Sequence, residues 1–222
     1  PSVALQNDTI CEGSSTVITA SNSIGGNVSY NFYDAASGGN LLGVSPLTVS
    51  PATNTIYYLE VVNQFGCTNS NGRVPVTVYV IQAPTILGIS AQSDTICAGA
   101  SAELTANVSP PGTTVTWWDN AVGGTQIASG STWNTGPLTQ SVTYYAQATS
   151  SGGCQNLQGR IATTVTVTPL PVVTLTSDKE NNTIFPNEVI TFTALPDSLN
   201  SYEFFWNETS VQSGSLNTWA SS

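Results

Sequence analysis

DTICEGSSTVITA, Asp8 to Ala20, returns as DTICAGASAELTA from Asp94 to Ala106 and as NTIFPNEVITFTA from Asn182 to Ala194. One phrase met three times without a gap makes the chain an array of a single repeated unit. In the first two copies a second landmark follows, TIYYLEVVNQFGC ending at Cys67 and VTYYAQATSSGGC ending at Cys154. Early and late cysteines recur at the same interval of about 87 residues, the size of a domain that buries its own core rather than of a solenoid repeat. The units fall at 1–82, 83–168 and, for a partial third copy that stops before its late landmark, 169–222. The chain reads as a piece of a longer protein, with neighbouring domains of that chain as its first partners.

Charge narrows the partners. Three cations, Arg73, Arg160 and Lys179, stand against 13 carboxylates with no histidine, for a net charge of −10. Such a chain repels a phosphate backbone, where Lys and Arg supply nearly all non-specific affinity, so nucleic acid is not a partner. No apolar run reaches the length of a membrane span, and no secretory leader is present at Pro1.

Each complete copy carries one early and one late cysteine. The matching positions predict one bridge per unit, Cys11 to Cys67 and Cys97 to Cys154. A metal site would need closely spaced ligands and a redox pair a CxxC, and the chain offers neither. Disulfides place the protein outside a reducing cytoplasm. In copy three Phe185 stands where Cys11 and Cys97 stand, an apolar ring in the place of a bridge.

Alternation is clean from Val142 to Thr149, with Val142, Tyr144, Ala146 and Ala148 on one face. Tyr57, Leu59 and Val61 are their counterparts in copy one, leaving Tyr58 and Tyr145 to face outward. Val74 to Val80 and Ile161 to Val167 read as last strands, with Pro75 favouring a sheet edge. Further short strands read at Thr16 to Ala20, Val28 to Asp34, Leu41 to Val44 and Leu47 to Val49. About seven strands in one unit predict an all-β sandwich. Its third strand carries aromatic weight, and Phe32, Trp117 and Phe204 are the rings expected between the sheets. Their neighbours Tyr33 and Trp118, with Trp133, are candidate ligand-facing aromatics.

The order ICxGxS, aromatic strand, Gly-Gly turn, YY strand and GC carries a resemblance. Ile10, Cys11, Gly13, Ser15, Tyr33, Asp34, Gly38, Gly39, Tyr57, Tyr58, Gly66, Cys67 and Arg73 match Ile96, Cys97, Gly99, Ser101, Trp118, Asp119, Gly123, Gly124, Tyr144, Tyr145, Gly153, Cys154 and Arg160. Over about three quarters of the chain, this pattern resembles the immunoglobulin-like repeats of large Bacteroidota surface proteins. The resemblance implies tandem immunoglobulin-like sandwiches in a secreted or cell-surface protein, exported by the type IX system and related to adhesins of gliding cells. Secretion or outer-membrane anchoring machinery is then an implied partner. It also implies O-glycosylation where Asp precedes Ser or Thr and an apolar residue, making Thr9, Thr95 and Ser198 candidate acceptors. The third copy departs from the pattern by losing its cysteine and Gly-Gly turn.

No nucleophile and base can be assembled without histidine and with Lys179 alone in a charged segment, so no catalytic residue, cofactor or metal site is assigned. Asp34 and Asp119 precede Gly-Gly turns, where a carboxylate caps its own turn more readily than it collects calcium. Arg73 and Arg160 are expected to pair with a carboxylate or carbonyl near the last strand. The leading functional reading is a non-catalytic stalk or spacer of an adhesin-like protein, joined through the Pro-containing links Ala83-Pro84 and Pro169-Leu170-Pro171. The alternatives are a module binding polysaccharide or a surface, and an accessory region of a larger secreted hydrolase.

Overall fold

Residues of period-two pattern and β-branched composition pair into sheets here rather than coil, because only a pleated strand puts Tyr144, Ala146 and Ala148 on one face. A computed structural model describes residues 1–21 and 27–221. Its first module holds β1 (Ser2–Leu5), β2 (Thr9–Cys11), β3 (Thr16–Ser21), β4 (Val28–Tyr33), β5 (Leu41–Val44), β6 (Leu47–Val49), β7 (Thr55–Asn63) and β8 (Val74–Ile81). The second repeats them as β9 (Thr85–Ala91), β10 (Thr95–Cys97), β11 (Glu103–Ser109), β12 (Thr114–Trp118), β13 (Gln126–Ser129), β14 (Thr132–Asn134), β15 (Val142–Thr149) and β16 (Ile161–Thr168). Each module is a sandwich of a three-stranded and a five-stranded sheet, ordered β1-β3-β6 over β2-β8-β7-β4-β5 and β14-β11-β9 over β10-β16-β15-β12-β13. The all-β, immunoglobulin-like reading of the sequence is the fold observed.

Between the sheets, Phe32 and Trp117 are wholly buried, as expected of the third strand. Phe32 packs with Ile10, Ile18, Tyr57, Leu59 and Val78. Trp117 is larger and carries a polar tip, which donates from Nε1 to the Gly130 carbonyl at 2.9 Å. Burial pushes the Tyr57 and Tyr144 hydroxyls above the ordinary phenol range.

Two strands missed in the sequence decide where the early cysteines lie. β2 and β10 are three residues long and run parallel to the last strand of their own module, with Cys11 opposite Ile81 and Cys97 opposite Thr168. Because β2 pairs only with Tyr79 to Ile81, the Pro75 end of β8 has an open edge where the missing amide hydrogen costs nothing.

Pro1–Thr168 forms one compact unit and Pro169–Ser222 another. The second contains β17 (Thr174–Ser177), a 3₁₀ turn (Glu180–Asn182), β18 (Ile190–Leu195), β19 (Tyr202–Trp206), β20 (Thr209–Gly214) and β21 (Thr218–Ser221). A β17-β18-β21 sheet lies beside a β19-β20 hairpin, and Ala194, Tyr202 and the expected Phe204 make its small core. Phe185 does not plug a vacant bridge position: it is 75% exposed, in a turn held by the Glu188 carboxylate accepting from its amide at 3.1 Å. Tyr58 and Tyr145 are half-buried rather than exposed, standing in cross-strand register with Tyr33 and Trp118, where side chains across a strand pair shield one another.

Truncating the ring between the sheets separates core from surface. Trp117→Ala is expected to cost about 3–5 kcal/mol in urea denaturation. Val122→Ser, at a site 91% exposed, is expected to stay within about 0.5 kcal/mol.

Candidate functional site

The late loop begins with an Asn-based turn. Asn63 accepts from the amides of Phe65 and Cys67 through its side-chain oxygen at 3.0 and 2.9 Å, and Gly66 donates to the Asn63 carbonyl at 2.9 Å. Gly66 has φ of 82° and the equivalent Gly153 85°, a left-handed conformation that a Cβ would strain. A second asparagine then returns the chain. Asn156, 5% exposed, accepts from the Ala148 amide at 2.9 Å and donates to the Gly159 carbonyl, as Asn69 does between Val61 and Gly72. Sequence reasoning missed these asparagines, although their signal was present as the shared GCxN.

This loop sets each late cysteine at the pole where the two long strands turn. The early cysteine sits at the other pole. Cys11 lies beside Ile81, the last residue of β8, whereas Cys67 lies in the turn that precedes its first, Val74. Seven steps of strand at about 3.3 Å separate the two ends by roughly 23 Å, whereas a disulfide allows about 7 Å between Cα atoms.

The in-module pairing read from the sequence is therefore corrected. Cys11 is bonded to Cys154, the late cysteine of the next module, with Cα atoms 5.5 Å apart. Cys67 and Cys97 are unpaired and exposed. Around the bridge the modules fit side chain to backbone. A Cβ on Gly152 would fall 2.5 Å from Ile81 Cδ1, and one on Gly13 would fall 3.2 Å from Leu157 Cδ2. The link is pinned too: Glu12 takes the Ala83 amide on its carboxylate at 3.1 Å and donates its own amide to the Ile81 carbonyl at 2.9 Å. In the chain-entropy account, tying residues 143 apart restricts the unfolded chain by on the order of 5 kcal/mol.

The outward aromatics are not free stacking platforms. The Arg73 guanidinium lies 3.4 Å from the Tyr33 ring centroid, and that of Arg160 3.7 Å from the Trp118 ring. Each guanidinium also ties the Gly-Gly turn. Arg73 donates to the Ala35 and Gly38 carbonyls at 2.8 and 2.5 Å and pairs with Glu60 at 3.2 Å. Arg160 donates to Asn120 and Gly123 at 2.6 Å each and to the Gln147 side-chain oxygen at 3.3 Å. Exchanging Glu60 for Gln147 removes a charge and keeps the acceptor. Trp133 is corrected from ligand-facing to core-packed, tilted against Trp117 at 5.8 Å and edge-on to Tyr144 at 4.9 Å.

Asp34 and Asp119 spend their oxygens on the turn. Asp34 accepts from the Asn40 amide at 2.7 Å and from the Asn40 side chain at 2.8 Å, and Asp119 from the Thr125 amide at 2.7 Å. Gly39 and Gly124 follow because a Cβ there would strike Asp34 at 2.3 Å and Asp119 at 2.1 Å. The candidate acceptors Thr9, Thr95 and Ser198 are all exposed.

The family described as "Ig-like domain CHU_C associated" matches residues 1–81 and again 82–169. No curated protein matches the chain. A solved structure of a mouse coronavirus receptor-binding domain complexed with its murine receptor includes a similar chain, at 11% identity over 75% of this chain and 100% of that one, with a TM-score of 0.40. Clostridium thermocellum CbhA fibronectin(III)-like modules are similar at 15% identity, 76% and 95% coverage and a TM-score of 0.36. An amphioxus IgVJ-C2 molecule gives 17%, 71%, 99% and 0.31.

Two measurements check the turn chemistry. Arg160→Lys keeps the charge but loses the planar fork, and is expected to cost on the order of 1–3 kcal/mol in urea denaturation, with altered tryptophan emission. Hydrogen bonds from Asn40 hold the Asp34 carboxyl below its ordinary 3.8. A carboxyl depressed in the folded state stabilises above its unfolded value and loses that contribution as pH falls through the folded one. Carboxyl NMR is expected to show Asp34 titrating below 3.8, and Asn40→Ala, which keeps the larger backbone hydrogen bond and removes the side-chain one, to raise it only part of the way back.

Proposed function

This chain belongs to the Ig-like domain family described as CHU_C associated, and we propose that its clasped modules are a non-catalytic, load-carrying spacer in a secreted or surface-displayed bacterial protein. The observation that carries the reading is the Cys11–Cys154 bridge between modules. Two domains in tandem ordinarily move about their linker. A covalent tie beside that linker, with Ile81 seated on Gly152 and Glu12 holding Ala83, removes most of that freedom. A spacer needs that stiffness, and an oxidising compartment outside the cell is where such a bond persists.

An adhesin-like stalk exported by the type IX route is the context in which this family likeness makes most sense. Attachment to outer-membrane machinery and O-linked sugar on Thr9, Thr95 or Ser198 belong to the same proposal, supported by the exposure of those hydroxyls. Polysaccharide stacking on Tyr33 or Trp118 has less support, because a guanidinium already occupies a face of each ring.

Pulling the chain from its ends tests the spacer role. Residues between the two sulfurs cannot extend while the bridge holds. Their 143-residue separation, at up to about 3.4 Å per residue, hides on the order of 500 Å of contour length. Single-molecule force traces are expected to lack that length under oxidising conditions and to gain it after reduction or in Cys154→Ser. Traces unchanged by reduction would overturn the reading.

A further inference from the structure

Asn71-Gly72 is the one place in the chain where asparagine precedes glycine. It ends the late loop of the first module, in the exposed turn that Asn69 closes by donating to the Gly72 carbonyl. The second module keeps the glycine but lengthens the residue before it by one methylene, as Gln158-Gly159. We propose that Asn71 is a modification site: its side-chain amide is lost by spontaneous cyclisation onto the Gly72 nitrogen, giving isoaspartate and aspartate, and the change loosens the Arg73 clamp of the first module alone.

The two modules differ where the reaction would begin. The backbone nitrogen of Gly72 makes no hydrogen bond among the described residues, whereas that of Gly159 donates to the Asn156 carbonyl at 3.3 Å. A free amide leaves the Gly72 nitrogen ready to lose its proton. Glycine presents no side chain to the incoming carbonyl carbon, and nothing lies within 4 Å of where a Cβ on Gly72 would stand, so a ring has room to close. Access to water does not depend on what adjoins the loop. Gln158, in the same place in the second module, is exposed although the Cys154 pole beside it is clasped.

The deprotonated Gly72 nitrogen attacks the Asn71 Cγ carbon, a C–N bond forms, and the side-chain nitrogen leaves as ammonia. The product is a five-membered succinimide. Water opens it in one of two ways. Attack at Cγ breaks the new bond and leaves aspartate in an ordinary backbone, whereas attack at the backbone carbonyl carbon breaks the old peptide bond and leaves isoaspartate, with the chain running through Cβ and Cγ. Asparagine and water become an acid and ammonia, with no change of oxidation state. Glutamine would have to close a six-membered ring, which is slower. An extra backbone carbon just ahead of Arg73 shifts the point at which that side chain leaves the turn, while its partners Tyr33, Ala35, Gly38 and Glu60 lie on other elements.

Peptide mapping by mass spectrometry on the full-length chain, aged in warm and mildly alkaline buffer, decides the matter. Asn71 is expected to exchange NH for O at least tenfold faster than Asn69, Asn156 or any other asparagine, and electron-transfer fragmentation to show isoaspartate beside aspartate. A synthetic peptide covering Thr68 to Val74 gives the rate of the unrestrained sequence, and the folded chain is expected to come within about tenfold of it. Asn71→Gln, which copies the second module, is expected to lower conversion there at least tenfold with the fold kept. In NMR spectra of the isoaspartate fraction the Arg73 Nε–H resonance is expected to move and that of Arg160 to stay. Asn71 intact after the peptide has converted, or Arg73 unmoved in the converted chain, would overturn the inference. The Cys11–Cys154 bridge takes no part in this chemistry, so this site and the spacer reading fail separately.

Discussion

The parallel pairing of a three-residue strand with the last strand of its own module governs this chain. It carries Cys11 to the end of β8 and so puts it a module's length from Cys67. Had the early strand joined the opposite sheet near its middle, an inter-sheet bridge of the antibody kind could have formed across the core. Instead the core packs Phe32 or Trp117 among apolar neighbours without a sulfur bridge, and the bridge joins one module to the next. Ile81, Gly152, Gly13 and Leu157 then follow as consequences, since two poles held 5.5 Å apart at Cα must fit around the bond.

Much of the sandwich was legible because burial on a pleated strand has a period of two. Tyr57, Leu59, Tyr144, Ala146 and Ala148 show it, and the bulk of Phe32 and Trp117 marks the strand that spans the sheets. The partners of the cysteines were not legible in the same way. A repeat tells which residues are equivalent and leaves open which are adjacent, so pairing within a module and pairing between successive modules look alike in sequence. The distinguishing sign was local: NQFGC and SSGGC end in turn residues, which put the late cysteine at a pole. β2 and β10, at three residues each, carry too few positions to declare a period, and their parallel partner lies far along the chain.

Arg73 and Arg160 illustrate how an outward aromatic is kept from becoming a liability. Tyr33 and Trp118 would expose a flat apolar ring, yet a cation stacked on each ring also satisfies two turn carbonyls. Asp34 and Asp119 fix the same turns from below through backbone amides, and a glycine is needed where the carboxylate leaves no room for a Cβ. Residues that read as a ligand constellation in sequence are thereby consumed by one another.

The second unit pairs its strands differently among the described residues. In the complete modules β4 is paired on one side with β5 and on the other with β7, whereas β19 pairs only with β20 among the described residues. Phe205 and Trp206 are 60% and 59% exposed, and Leu175, Phe192 and Trp219 share with them an apolar cleft of about 180 Å³. Apolar burial is the main term available to offset chain entropy, and in the complete modules the long strands β7 and β15 supply it beside β4 and β12. In the first unit two closed cores and the bridge between them add apolar burial to a shortened unfolded chain, so both terms act on the same pair of modules.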